Sequence, residues 1–557
     1  MADIPIDTSD TSPTTTADKG PAHTSTTHVE DSIDPDNEIG GVRLLLIHVG
    51  TTLATFLAGL DSNLIATSIP VITSQFDSIG DVGWYGASFY IAMCASQPLA
   101  GKAYTLFSKK AILMIYLFIF ELGNLVCAIA PSSTALIAGR AVTGLGASGV
   151  FVGGIVILAT IIPLHKRAIW QGTQVSMFSL ASVVGPIVGG ALTQSLTWRW
   201  CFWINLPFGA LAAVLLLFLN IRKPEAATNW SLLRKVKALD FLGFILLASA
   251  ATMLLLALQF GGITFPWNSS VVVGLFVGSA TTFAIFICWQ FFRADDALVP
   301  PKLFRHRNAS LICFSQIFAP GPFQVIVYWL PIWFQAVLGV SPIASGVRYL
   351  PTVVADALTC IVGSAIIMQS GIWNPFLLLA NVMICLSGGL LSTLHLGITS
   401  GHWTGYEILG GIGFGLVNNV AHIGMQASVP KELVPIGASS LMSIASATCA
   451  IYLAAAQTIF QDRLKANLSG KIASELIDRV LISGATNIRS FLSQTDLSIV
   501  LEGYSQSVTQ VFYLPAAAPV IGLLIALGLK WTSLKKNEAA HRATEDAGGQ
   551  ADREFKV

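Results

Sequence analysis

Long apolar runs separated by short polar segments make up most of the chain. Each long run covers about 20 residues, the length that an α-helix needs to cross a hydrocarbon core about 30 Å thick. Because a backbone surrounded by lipid must satisfy its own hydrogen bonds, we predict that these runs are transmembrane helices. The fourteen predicted spans are 44–66, 83–103, 111–130, 134–160, 168–193, 200–221, 239–259, 270–292, 310–335, 342–368, 373–395, 403–428, 436–460 and 509–530.

The composition favours a membrane protein and excludes several other classes. Charged residues are 11% of the 557 residues and apolar residues reach 54%, whereas a soluble protein has about 25% charged residues. So few charges cannot cover a soluble surface, and the predicted fold class is an all-α integral membrane protein. The net charge of +1 gives no field that would attract nucleic acid. The eight cysteines show no CxxC spacing, and we expect neither a metal nor a cofactor.

The positions of Lys and Arg predict the orientation of the chain in the membrane. Loops that face the cytoplasm carry an excess of these residues. The alternate loops, near 67–82, 131–133, 260–269, 336–341 and 396–402, carry none. We therefore place the basic loops and both termini in the cytoplasm. The basic residues of these loops are Lys102, Lys109, Lys110, Lys166, Arg167, Arg222, Lys223, Arg234, Lys235, Lys237, Arg293, Lys302, Arg305 and Arg307.

Polar segments at both ends and one long loop complete the predicted layout. Residues 1–42 carry nine acidic residues and one lysine among Ser, Thr and Pro, a composition typical of a disordered tail. Residues 532–557 form a second polar tail, and 461–508 is predicted to be an amphipathic outward loop in which short helices could lie near the interface. The N-x-S sequons at Asn268 and Asn467 lie in predicted outward loops, so both are candidate glycosylation sites.

Two of the predicted spans share a glycine pattern. Span 4 contains Gly144 and Gly146, span 12 contains Gly411 and Gly413, and in both spans a proline follows the first glycine by 19 residues. If span 12 is the counterpart of span 4, spans 9–14 repeat spans 1–6, and spans 7 and 8 are an insertion. Two parallel six-helix repeats are typical of secondary transporters in which one half rocks against the other.

The repeat predicts how the membrane part of the chain is divided. An N-terminal six-helix bundle is expected over 43–221 and a C-terminal six-helix bundle over 310–531. Residues 222–309 are expected to form a cytoplasmic linker that carries the two extra transmembrane helices. The fourteen spans leave no room for a large soluble domain.

Two charged residues within the predicted spans are candidates for function. Asp61 lies near the end of span 1, and Arg140 lies near the start of span 4. A charge inside a membrane span is costly, which makes it a functional candidate, and arginine stays charged at any accessible pH. Structural alternatives exist for both. Asp61 could be hydrated near the outer interface or cap a helix end, and Arg140 could be neutralised against a helix end.

Span 5 combines a stripe of small residues with a proline. Ala181, Gly185 and Gly189 are four residues apart, a spacing that allows a neighbouring helix to approach closely. Pro186 removes one backbone hydrogen bond and permits a kink. Gly190 completes a GPxxGG sequence, and the equivalent part of span 13 has no GP pair. This difference predicts a functional hinge in one half only.

These patterns resemble the motifs of the major facilitator superfamily. The sequence from Leu60 to Pro70 is similar to the LDxTIxxxAxP signature of its fourteen-span drug:proton antiporter branch, with Asn63 in place of the usual Thr. The RxxxGxG sequence that begins at Arg140 resembles the superfamily motif associated with proton coupling, and the GPxxGG sequence of span 5 resembles its antiporter motif. The resemblance covers about 43–531 and implies the superfamily fold of two six-helix bundles.

The segment after span 2 departs from the superfamily pattern. Where the superfamily has GxLxDRxGRR, this chain keeps only Gly101 and the basic pair Lys109 and Lys110. The resemblance therefore does not imply the cytoplasmic charge lock of that motif. The GKxYxLF sequence found here is instead similar to the fungal toxin-exporter subgroup.

The resemblance implies a proton antiporter that exports a small amphiphilic molecule, such as a fungal toxin, secondary metabolite or drug, by alternating access. Asp61 or Glu407 would carry the proton, and Arg140 would change the proton affinity of that carboxylate. Glu407 lies on span 12 at the position equivalent to Arg140, so the two could pair across a cavity, or Glu407 could stay hydrated. The proton gradient would supply the energy. A monomer in the plasma membrane is expected, with a vacuolar or vesicle membrane as the alternative.

Two other functions stay open at this point. Sister groups of the same branch import siderophore–iron or carry amino acids into the vacuole, so direction and cargo could differ. An integral-membrane enzyme would need clustered histidines or a histidine–acid pair at the cytoplasmic face. The nearest sequence, from His402 to Glu407, is predicted to face outward. No GxxxxGK[ST] loop is present, which excludes a nucleotide-driven pump, and we expect the chain not to be an enzyme.

Overall fold

The computed structural model describes residues 41–65, 68–76, 82–218, 230–262, 265–473, 475–477, 479–480 and 492–531. The predicted tails 1–42 and 532–557 lie outside these residues, except for Gly41 and Val42. The described residues are α-helical and contain no β-strand, and each predicted span coincides with one helix or with two consecutive helices. The predicted all-helical fold class is therefore confirmed.

Among the described residues, eleven helices are long and apolar enough to cross a membrane, judged by length and composition. The helices at predicted spans 2 and 5 are not among the eleven, and predicted span 6 contains a shorter apolar helical stretch, Trp200–Leu216. The total of fourteen membrane crossings fits the helix positions and stays a prediction.

The N-terminal part of the structure is built around one buried helix. α5 packs on α3 and α4, and α1 packs on α6 and α8. Within α5, 83% of the most apolar window is buried, as expected for a helix surrounded by other helices. The helices of this part are α1 (Gly41–Leu64), α2 (Ile69–Phe76), α3 (Val82–Leu106), α4 (Lys109–Ala128), α5 (Ser133–Ile161), α6 (Leu164–Ser195), α7 (Trp200–Trp203) and α8 (Asn205–Leu216).

The inserted segment consists of a helical pair and a strap. The helices are α9 (Leu232–Lys237), α10 (Phe241–Phe260) and α11 (Ser270–Arg293). α10 and α11 pack on each other, and only 17% of the most apolar window of α11 is buried, so this helix is largely exposed to lipid. Residues 294–306, called the strap below, contain two short 3₁₀ turns and lead into the C-terminal part.

The C-terminal part repeats the packing of the N-terminal part. α16 packs on α14 and α15, as α5 packs on α3 and α4, and 78% of its most apolar window is buried. The helices of this part are α12 (Arg307–Ser315), α13 (Pro320–Ala336), α14 (Pro342–Ser370), α15 (Asn374–Leu391), α16 (Ser400–Gln426), α17 (Val434–Leu468), α18 (Gln494–Val511) and α19 (Tyr513–Leu527).

Within the outward loop predicted over 461–508, most of the described residues are helical. α17 continues to Leu468, and α18 begins at Gln494. The two helices pack on each other, and Asn467 Nδ2 donates a hydrogen bond to Ser507 Oγ at 2.9 Å. This contact joins the two helices within the described part of the predicted loop.

The N-terminal and C-terminal parts meet along two seams. α6 packs against α14 at one seam, and α3 packs against α17 at the other. α10 contacts both α3 and α17, and the rings of Trp84 on α3 and Phe260 on α10 lie 6.4 Å apart, centroid to centroid. The inserted helical pair therefore lies over the α3–α17 seam.

Candidate functional site

Asp61 and Arg140 form a fully buried ion pair. Arg140 Nη1 lies 2.5 Å from Asp61 Oδ2, and both side chains are 0% exposed. Arg140 Nε donates to the backbone oxygen of Tyr85 at 3.0 Å, and the guanidinium carbon lies 4.6 Å from the ring centroid of Phe89. The pair joins α1 to α5 and rests on α3. Breaking a buried pair by removing one partner costs about 3–5 kcal/mol, because it leaves an uncompensated charge.

Two asparagines extend the ion pair into a network across four helices. Asn205 Nδ2, at the start of α8, donates to Asp61 Oδ1 at 3.3 Å and to Asn124 Oδ1 on α4 at 3.0 Å. Both asparagines are fully buried. Such hydrogen bonds orient the carboxylate and stabilise its charged form. Neither asparagine is a site candidate from the sequence, because a single Asn within a predicted span does not reveal which residue it contacts.

Glu121 places a second carboxyl group in the same half. Both of its carboxylate oxygens are buried and accept no hydrogen bond from any described residue. A Cβ built on Gly209 of α8 would overlap Glu121 Oε1, so this side chain packs directly on the α8 backbone. Glu121 lies one turn before Asn124 on α4. We call Asp61, Glu121, Asn124, Arg140 and Asn205 the N-half polar cluster.

Glu407 occupies a different environment from Arg140, its sequence counterpart. It is 0% exposed in α16, and neither carboxylate oxygen is hydrogen-bonded within the described part of the chain. The carboxylate that pairs with Arg140 is that of Asp61, not of Glu407. The pairing of Arg140 with Glu407 considered from the sequence is therefore not present in this structure, and Glu407 is buried rather than hydrated.

The glycines of the two predicted repeat motifs make equivalent contacts. A Cβ built on Gly144 would overlap the backbone oxygen of Phe89 on α3, and one built on Gly411 would overlap the backbone oxygen of Thr352 on α14. Glycine at these positions lets the central helix of each half approach its neighbour closely.

The second glycine of each motif behaves in the same way. A Cβ on Gly146 would overlap the backbone of Phe120 on α4, and one on Gly413 would lie 2.6 Å from Ile384 Cγ1 on α15. The first contact is to α4, the third predicted span of the N-terminal half, and the second is to α15, the third predicted span of the C-terminal half. The predicted correspondence between spans 4 and 12 therefore extends to the backbone contacts.

The small residues of α6 pack against α1, the helix that carries Asp61. A Cβ on Gly59 would lie 3.0 Å from Ala181 Cβ, and one on Gly185 would lie 2.7 Å from Asn63 Cβ. The predicted stripe of small residues thus lies at a close helix contact, two residues from the buried carboxylate of Asp61.

The remaining residues of the span 5 motif lie farther along α6. Gly189 is buried, and its backbone oxygen accepts a hydrogen bond from Cys201 Sγ at 3.8 Å. A Cβ on Gly190 would have no described atom within 4 Å. Pro186 lies within α6, which is a single helix from Leu164 to Ser195. The predicted hinge at this proline stays a prediction.

Hydrogen bonds between the two halves lie near the predicted cytoplasmic end of α6 and about midway along α3. At the α6–α14 side, Gln426 Nε2 of α16 donates to Gln171 Oε1 of α6 at 3.1 Å. At the α3–α17 seam, Ser443 Oγ donates to the backbone oxygen of Cys94 at 2.9 Å. Asn419 Nδ2 also donates to the backbone oxygen of Ala168 at 3.1 Å. We call these bonds the inner contacts.

The two glycosylation candidates differ in accessibility. Asn268 is exposed in a turn before α11, as predicted. Asn467 is half-buried in the last turn of α17, where its amide is hydrogen-bonded to Ser507. Asn467 therefore lies in a helix, and its position on the outward side stays a prediction.

Two central helices, repeated packing in two halves and a buried ion pair among the spans define a membrane transporter. A family model described as Major Facilitator Superfamily matches residues 51–453. The chain belongs to this superfamily.

Similar full-length proteins come from filamentous fungi. The MFS-type transporter pigP of Monascus ruber is 37% identical over 504 residues, which cover 90% of this chain and 88% of pigP. The efflux pump roqT of Penicillium rubens is 37% identical over 489 residues, covering 88% and 90% of the two chains. The efflux pump aflT of Aspergillus parasiticus is 34% identical over 515 residues, covering 91% and 99%.

Solved structures agree on the fold. The proton:xylose symporter XylE is 14% identical, with a TM-score of 0.53, and the match covers 89% of this chain and 98% of XylE. At this identity the similarity concerns the fold alone.

Proposed function

We propose that this protein is an efflux pump that exports a small amphiphilic molecule, of the class of fungal secondary metabolites or toxins, in exchange for protons. The observation that carries the proposal is the buried Asp61–Arg140 pair in a chain whose relatives pigP, roqT and aflT are named as transporters or efflux pumps. These names favour export over the import of siderophore–iron or of amino acids.

The chemistry of the pair supports proton coupling. A proton taken up by Asp61 removes the carboxylate charge, and the attraction to Arg140 is lost. The pair links α1 to α5, so protonation weakens a contact between helices of the N-terminal half. Arg140 then needs another partner or water, because it remains charged. Protonation thus favours a different arrangement of α1 and α5, which is the coupling that an antiporter requires.

Glu407 is proposed as the second protonatable group. It is buried on the central helix of the C-terminal half, at the position equivalent to Arg140. A carboxyl group in this position has no described cation against it. Its protonation therefore changes no ion pair, and we assign the principal coupling role to Asp61.

The two halves are proposed to move as bundles over 43–221 and 310–531, with 222–309 inserted between them. With both termini in the cytoplasm, the inner contacts at α6 would lie on the cytoplasmic side, and we propose that they hold this side closed in one state of the transport cycle. Substrate export then requires these contacts to break and reform in each cycle. The proposed location is the plasma membrane, where the protein would act as a monomer.

The experiment measures export and proton flux together. Proteoliposomes that contain a pH-sensitive dye receive rhodamine 6G as the amphiphilic probe under an imposed pH gradient. Rhodamine 6G movement should follow the gradient and stop when a protonophore is added. Asp61→Asn should abolish the dependence on the gradient, because an amide cannot carry the proton.

The matched control is Asp462→Asn, which removes an exposed carboxylate of α17. This variant should transport at the rate of the parent protein. If Asp61→Asn protein, correctly inserted, still follows the gradient at the full rate, the coupling assignment is wrong.

A further inference from the structure

One peptide group of the strap is held between two buried charges. Lys102 Nζ donates to the backbone oxygen of Ala297 at 2.6 Å and also to that of Asp296. The N–H of Leu298, which belongs to the same peptide group as the oxygen of Ala297, donates to Asp240 Oδ2 at 2.8 Å. Lys102 is 4% exposed and Asp240 is 3% exposed. The peptide therefore connects a buried ammonium on α3 to a buried carboxylate at the start of α10.

Asp240 is held in place by further contacts. Its Oδ1 accepts hydrogen bonds from the backbone N–H of Gly243 at 3.1 Å and from Trp289 Nε1 of α11 at 2.8 Å. Its φ of 55° lies in the left-handed region, which a residue other than glycine adopts only where the surroundings enforce it. The carboxylate thus fixes the cytoplasmic ends of α10 and α11 relative to the strap.

The strap also reaches the C-terminal half. Leu303 is fully buried, and a Cβ built on Gly437 of α17 would lie 3.7 Å from Leu303 Cδ1. Next to Lys102, a Cβ on Gly101 would overlap the side chain of Ser439 on α17. The strap therefore contacts both α3 and α17 beside the close contact between Gly101 and Ser439.

We propose that Lys102, Asp240 and the peptide between Ala297 and Leu298 form a latch that stabilises the closed cytoplasmic end of the α3–α17 seam. Lys102 acts as a positioning residue, since it holds the strap against α3 while Leu303 holds it against α17. The inserted helical pair thereby sets the balance between the closed and open cytoplasmic states. This inference rests on the proposed alternating access.

The latch predicts a measurable shift in conformation. Spin labels at Lys166→Cys, on the cytoplasmic end of α6, and Ser370→Cys, on the cytoplasmic end of α14, would report the separation of the halves away from the latch. Both positions are exposed. The exposed Cys288 is replaced by Ser in all proteins. Pulsed EPR in nanodiscs, without substrate or pH gradient, measures the distance between the two spin labels. The ratio of short to long distances then gives the ratio of closed to open protein.

Lys102→Met should lower the ratio of closed to open protein by about tenfold, the change expected from the loss of a hydrogen bond to a charged group. Lys102→Arg, which keeps a cationic donor, should restore most of the closed population. Asp240→Asn should shift the ratio in the same direction as Lys102→Met. The control Lys237→Met removes an exposed cytoplasmic lysine and should leave the distances unchanged.

An unchanged distance distribution in both Lys102→Met and Asp240→Asn would overturn the latch. If Lys102→Met does not yield monodisperse protein, Asp240→Asn decides between the two outcomes. The measurement uses neither substrate nor a gradient, so it distinguishes failure of the latch from failure of proton coupling. Loss of coupling in Asp61→Asn with an intact Lys102 effect would leave the latch in place.

Discussion

The central helices of the two halves approach their neighbours through matching glycines. In the N-terminal half, Gly144 of α5 lies against the backbone of Phe89 on α3; in the C-terminal half, Gly411 of α16 lies against the backbone of Thr352 on α14. The residue one turn before the glycine differs in chemistry. Arg140 is part of a buried ion pair, whereas the carboxylate of Glu407 is buried with no hydrogen-bond partner among the described residues.

The two halves share the close helix packing but differ in the charged residue beside it. The close contact of helices depends on the absence of a side chain, and both halves preserve it. The residue one turn before the glycine can differ between the halves, because a single buried ion pair needs only one set of partner residues. In this protein those partners come from α1 and α8 of the N-terminal half. One half therefore carries a buried ion pair, while the other keeps the same helix contacts with a single buried carboxyl group at the equivalent position.

The largest effect is expected from removing the cation. Arg140→Met leaves Asp61 buried without its partner and should destabilise the protein by about 3–5 kcal/mol, with loss of gradient-driven export. The apparent melting temperature in detergent and rhodamine 6G export measure the two effects. Arg463→Met removes an exposed arginine and serves as the control.

The double variant Asp61→Asn with Arg140→Met sharpens this test. It removes both charges, so it should be more stable than Arg140→Met alone and still be inactive. Equal melting temperatures for the single variant and the parent protein would show that the pair does not stabilise the N-terminal half.

The glycine contacts should give an intermediate and equal effect in the two halves. Gly144→Ala and Gly411→Ala each place a methyl group on a neighbouring backbone oxygen, and each should cost about 1–3 kcal/mol. Gly405→Ala is the control, because a Cβ there meets no described atom within 4 Å. Melting temperatures measure the loss of stability in each variant. If only one of the two variants is destabilised, the helix packing of the two halves is not equivalent.

The smallest effect is expected from Glu407→Gln. The carboxylate has no described hydrogen-bond partner to lose, so the change in stability should stay within about 1 kcal/mol. Export should fall less than in Asp61→Asn. A loss of gradient dependence as complete as that of Asp61→Asn would move the principal coupling site to the C-terminal half.

The sequence was sufficient to predict the helices, the repeat and the two members of the ion pair. Apolar periodicity depends only on local residues, and the glycine spacing of spans 4 and 12 reflects the same backbone contact in both halves. The sequence left open whether Arg140 acts on Asp61 or on Glu407, because the pairing depends on how α1 packs beside α5. The contact of Glu121 with Gly209 arises from tertiary packing, which the residue pattern of α4 alone does not reveal.

Lys102 shows a second limit of sequence reasoning. The positive-inside rule assigns such a lysine to a hydrated loop, yet it lies within α3 and is almost completely buried. Its partners are backbone oxygens of Asp296 and Ala297, nearly two hundred residues away in the sequence. Backbone acceptors leave no trace in the residue types, so a sequence pattern cannot reveal them.

The position of α10 gives the molecule two unequal flanks. A solute dissolved in the bilayer that approaches between α3 and α17 meets the additional helices first. A solute that approaches from the opposite flank meets α6 and α14 directly. Hydrophobic molecules in the bilayer therefore reach the α3–α17 seam only past the inserted helices, whereas they reach the α6–α14 seam directly. Inhibitors that act from within the membrane are best directed at the α6–α14 seam.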